Sequence, residues 1–163
     1  MDARHMRATL RTRIGTALVM AALAGAAPEI SRVHAADADL RGSWKSESYT
    51  LKDGTRHVMP GLLVFTKTDW TTLWVITVDG TAVRGAGEGG TYTVSGDKLT
   101  FKHLFNVSGG KAVAGMAESP LRVEANSPDR APLEPCTVTL QGDRLTIHFP
   151  SGNQIVFRRS SGF

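Results

Sequence analysis

Few side chains in this sequence could carry chemistry. Beyond position 36 the histidines are His57, His103 and His148, and the one cysteine is Cys136. From Lys98 to Val107, strand alternation puts Leu99, Phe101, His103, Phe105 and Val107 on one face, with His103 the sole titratable group in an apolar row. An imidazole among aromatic rings could orient a ligand's polar head or move a proton. The ordinary role of such a residue, a hydrogen-bonded core histidine, outweighs both. His148 alternates with Ile147 and Phe149 and should face solvent. Glu88 lies among glycines, where it either meets a ligand at a cavity mouth or is a solvated loop acid. A lone Cys136 excludes an internal disulfide and reads as a small buried hydrophobe. No metal-ligand spacing, Gly-x-Ser-x-Gly elbow or paired catalytic acids occur, so no metal, cofactor or catalytic residue is expected.

One motif points elsewhere. Gly85, Gly87 and Gly90 in VRGAGEGGTYTV stand in the spacing of a dinucleotide-binding loop. That loop works only when a helix follows, because the helix N-terminus holds the pyrophosphate. Here Gly90 leads into Thr-Tyr-Thr-Val, a strand pattern, so the spacing is coincidental. The glycines are expected in a loop, bending the chain at a corner or bulge.

The amino-terminal stretch is different in kind. Arg4, Arg7, Arg11 and Arg13 precede the apolar run Ile14 to Ala27, and small residues follow at Ala35 and Ala36. This is the pattern of a secretory signal peptide spanning residues 1–36, cleaved near Ala35, which places the remainder in the periplasm or outside the cell, off the membrane. Removing Arg4, Arg7, Arg11, Arg13, Arg32, Asp2 and Glu29 from 19 basic and 15 acidic residues leaves 14 against 13. A nearly neutral domain has no field to gather phosphates, so nucleic acid is not an expected partner.

Residues 37–163 read as one domain with a period of two throughout. Strands are expected at Trp44–Leu51, Arg56–Met59, Leu62–Thr66, Thr71–Val78, Thr91–Ser95, Lys98–Val107, Cys136–Leu140, Arg144–Phe149 and Gln154–Arg159, with a weaker one at Leu121–Ala125. Turn chemistry separates them, including Asp79-Gly80, Gly96-Asp97 and Gln141-Gly142-Asp143. With no amphipathic helix in evidence, the fold class is all-β, an antiparallel meander closed into a barrel of about eight strands, which leaves no free edges.

Leu40-Arg41-Gly42-Ser43-Trp44 resembles the Gly-x-Trp signature of lipocalin-like barrels, and GLLVFTKTDWTTLWV, EGGTYTVSGDKLTF and GDRLTIHFPSGNQIVFRRS resemble strands of small bacterial secreted members of that group. The resemblance implies that Trp44, after Gly42, plugs one end of the barrel beneath a guanidinium from Arg158 or Arg159. A barrel of about eight strands has an interior just wide enough for one small apolar or amphipathic ligand, and the residues expected to line it are Trp70, Trp74, Phe101, His103, Phe105 and Glu88. An interior filled by side chains is the competing expectation. Two other functions stay open: a barrel enzyme of isomerase or cyclase type using His103 or Glu88, and a protein-binding or inhibitory barrel acting through a loop at residues 109–135.

Overall fold

The computed structural model describes residues 39–161, and the expected leader at residues 1–36 lies outside them. The described residues contain no helix. They form ten strands: β1 (Gly42–Thr50), β2 (Arg56–His57), β3 (Gly61–Phe65), β4 (Asp69–Val78), β5 (Thr81–Ser95), β6 (Lys98–Gly110), β7 (Ser119–Ala125), β8 (Leu133–Gln141), β9 (Arg144–His148) and β10 (Gln154–Arg159). Every pairing is antiparallel. The sheet runs β1-β3-β4-β5-β6-β8-β9-β10 and closes by pairing β10 with β1, an eight-stranded barrel with β2 and β7 as additions. The expected all-β, closed architecture is therefore what the described residues adopt.

Local chemistry explains the hairpins. Asp79 (φ 49°) and Gly80 (φ 77°) both take left-handed backbone, so β4 and β5 join through a two-residue turn that matches strand twist. Inward positions are apolar along the strands that reach the closed end: Leu63 and Phe65, Trp70, Leu99 and Phe101, Cys136 and Val138, Leu145 and Ile147, and Phe157 are all buried. Trp44 is wholly buried there. Its Nε1–H donates to the Leu40 carbonyl at 2.8 Å, and the Arg159 guanidinium lies 4.1 Å above its ring centre. Arg159 also donates to the Asp39 and Arg41 carbonyls. Arg158 turns outward to Glu47 at 2.8 Å, so of the two candidates the cap is Arg159. Gly42 has φ 111°, a conformation that side-chain-bearing residues rarely adopt, which accounts for glycine two positions before Trp44.

Two expectations are corrected. The glycine-rich stretch is no loop: it lies within β5, paired to β4 on one side and to β6 on the other. Gly85, Gly87 and Gly89 alternate with buried Ala86 and inward Glu88, so the three glycines line the outer face. Residues 109–135 are also not a plain loop, since they contain β7 and the start of β8. The segment between β6 and β7 forms a strap: Arg84 donates to the carbonyls of Lys111 and Ala117 at 2.8 Å each, and Nε2 of His57 lies 2.9 Å from the Ala114 carbonyl oxygen. The strap thus reaches from β5 to the β1–β2 region, beside the barrel mouth.

Candidate functional site

The end of the barrel opposite Trp44 is open. A cavity of about 560 Å³ enters there, lined by Tyr49, Met59, Trp74, Glu88, His103, Asn106, Glu124, Asn126, Pro132 to Glu134, Phe149, Ser151, Asn153 and Ile155. Beneath it lies a chamber of about 50 Å³, bounded by Trp70, Phe101, Phe157 and other apolar side chains and again by Glu88, His103 and Glu134. The three polar residues shared by both spaces lie between the open mouth and the aromatic floor.

Each of the three comes from a different strand. His103 projects from β6, Glu88 from β5 and Glu134 from β8, the two strands that flank β6. His103 Nδ1 is 3.2 Å from Glu88 Oε2, and Nε2 is 3.2 Å from Glu134 Oε2. The Trp70 ring meets the imidazole edge to face, with centroids 5.2 Å apart and planes at 84°. Glu134, then Glu88, hold the proton on the ring against the opposing effect of burial, raising the His103 pKa from 6.5 to about 9. At neutral pH the residue is an imidazolium with both N–H groups committed to carboxylates.

The aromatic row departs from the expected one. Gly89 pairs with Phe105 and Gly90 with His103, so Leu104 is an extra residue, a β-bulge. Past the bulge the alternation reverses: Phe105 and Val107 face outward, 45% and 43% exposed, and Asn106 takes the inward place. Phe105 is thus not a cavity residue. Its ring covers Gly89 from outside, where any side chain on that glycine would collide with it. Glycine makes the bulge possible too, since a Cβ on Gly90 would strike the Lys102 carbonyl oxygen and come within 2.9 Å of the Leu104 nitrogen.

Of the other expected residues, Trp74 and Glu88 line the mouth, while Trp70 and Phe101 line the floor. His148 is exposed, as anticipated. His57 joins the strap rather than the cavity. Cys136 is buried, and burial together with the Glu134 charge pushes its thiol up to about 12, so it is no nucleophile. Sequence reasoning missed Glu134, Asn106, Glu124 and Tyr49. Among the described residues no group of three or more His, Cys, Asp or Glu could hold a metal ion. Two described side-chain atoms are buried without a hydrogen-bond partner, Trp70 Nε1 and Asn106 Oδ1, and both residues border these spaces. Comparison with family models, curated proteins and solved structures gives no match.

Proposed function

We propose that this is an exported lipocalin-like binding protein that holds one small amphipathic molecule in the open cavity of its barrel, apolar part against Trp74, Phe149 and Ile155 and polar head at the Glu88–His103–Glu134 cluster. The open cavity of about 560 Å³, with Trp74, Tyr49 and Phe149 on its wall and three convergent polar side chains at its base, carries this reading. Spaces of a few hundred Å³ with apolar walls and a few convergent polar groups are the usual form of a small-molecule site. The basic and apolar leader supports export, which would put the barrel in the periplasm or medium. Titration with phenylnaphthylamine, an uncharged dye that brightens in apolar surroundings, tests the proposal. Saturable brightening with quenching of tryptophan fluorescence, weakened in Trp74→Ala, is the expected outcome. No saturable binding of this dye or of any fatty acid, isoprenoid or aromatic probe would sink it.

The isomerase or cyclase alternative fits less well. A general base needs a free lone pair, and both ring nitrogens of His103 face carboxylates. The protein-binding alternative draws support from the outer face, where Leu73, Phe105, Val107, Leu121 and Val123 are exposed around the glycines of β5. It becomes the leading reading if the dye titration fails.

A further inference from the structure

The polar groups of the cavity are unbalanced in kind. Glu88, Glu134 and Glu124 bring three carboxylates to its wall, against one imidazolium. Among the described residues no lysine or arginine lines it. Arg84 points to the strap, donating to the Lys111 and Ala117 carbonyls, and Arg122 stands two residues from Glu124 on exposed β7; neither lines the cavity. His103 uses both N–H groups on Oε2 of Glu88 and Oε2 of Glu134, which leaves the Oε1 atoms of both acids as acceptors. Asn106, also on the wall, has its Oδ1 buried without a hydrogen-bond partner. The Tyr49 hydroxyl, whose pKa is raised chiefly by burial, accepts from Asn153 Nδ2 at 2.7 Å.

Such a lining has acceptors to fill and net negative charge. A carboxylate or phosphate head would add repulsion and supply no donor, whereas an ammonium brings up to three N–H donors and the complementary sign. Aromatic walls from Trp74, Tyr49 and Phe149 suit the same cation, because ring faces carry negative quadrupole potential. Resting on the cavity reading above, we infer that the head group selected at this site is cationic: the ligand is an amphipathic amine, not a fatty acid.

The test is a series with one tail and three heads: decylamine, decanol and decanoate, each titrated below its micelle threshold by displacement of phenylnaphthylamine and by tryptophan quenching. Decylamine should bind about tenfold or more tighter than decanol, with decanoate weakest, and added salt should narrow the gap. Glu88→Gln with Glu134→Gln should bring the amine down to the alcohol. Where that pair fails to fold, Glu124→Gln, which is on the exposed rim, should reduce the amine preference alone. Equal affinity for the three heads, a preference for decanoate, or an amine preference unmoved by these variants would overturn the charge inference and leave the cavity reading standing. Saturation by none of the three, nor by the dye, would remove both.

Discussion

At the scale of single residues, His103 is the side chain whose environment departs furthest from the ordinary. The groups facing it are Glu88 from β5, Glu134 from β8 and the uncharged ring of Trp70 from β4. Its pKa rises from 6.5 to about 9 on folding, so its contribution to stability is fully present below the unfolded value and is lost as pH climbs through the folded one. Urea midpoints should therefore fall between about pH 6.5 and about pH 9, and His103→Gln should flatten that slope. A wild-type midpoint that stays level across the window would show that the imidazolium is not held as described. Part of this site was legible from sequence and part was not. His103 stood out as the one titratable group on an apolar strand face. Glu134 did not, because its partnership with His103 arises from β6–β8 pairing between residues 31 positions apart, and nothing in Leu133-Glu134-Pro135 marks that register.

Among the elements, β6 shows where pattern reading stops. Leu99, Phe101, His103, Phe105 and Val107 alternate without a break, so the sequence of β6 alone describes one continuous apolar face. The bulge at Leu104 is specified on the neighbouring strand, by glycines on β5 that let the chains approach. Turns were legible because their chemistry is local: Asp79-Gly80 needs nothing beyond itself to set φ. The glycine-rich half of β5 has a loop's composition because glycine weakens a strand intrinsically, and here pairing on both edges overrides that preference. Gly90→Ala should thus cost about 2 kcal/mol or more in urea denaturation, since the collision is with main-chain atoms of β6 that cannot rotate away. A loss below about 0.5 kcal/mol would mean that the bulge is not tied to this glycine.

For the whole molecule, closure and capping are the decisive features. Trp44, wholly buried, fills the closed end, and Arg159 covers it while joining β10 to the segment ahead of β1. Trp44→Ala should cost about 3 to 5 kcal/mol in equilibrium unfolding, and a loss under about 1 kcal/mol would contradict the plug. Arg159→Ala should lower the urea midpoint more than Arg158→Ala, whose own half-exposed side chain pairs with Glu47 away from the plug; the reverse order would reassign the cap. The same closure has a mechanical consequence. β1 and β10 are antiparallel, and Trp44 pairs with Arg159, so both ends of the described segment leave the barrel at one end of one ladder. Tension applied between them loads that ladder in peeling geometry, where hydrogen bonds rupture singly, rather than in shear, where many share the load. At the end that peels first stand the Arg159 guanidinium contacts with Asp39 and Arg41 and the Ser160 N–H bond to the Ser43 carbonyl. Resistance to denaturant and resistance to pulling are thus separate properties of this barrel: packing around Trp44 bears on the first, and the few contacts at this end of the seam bear on the second.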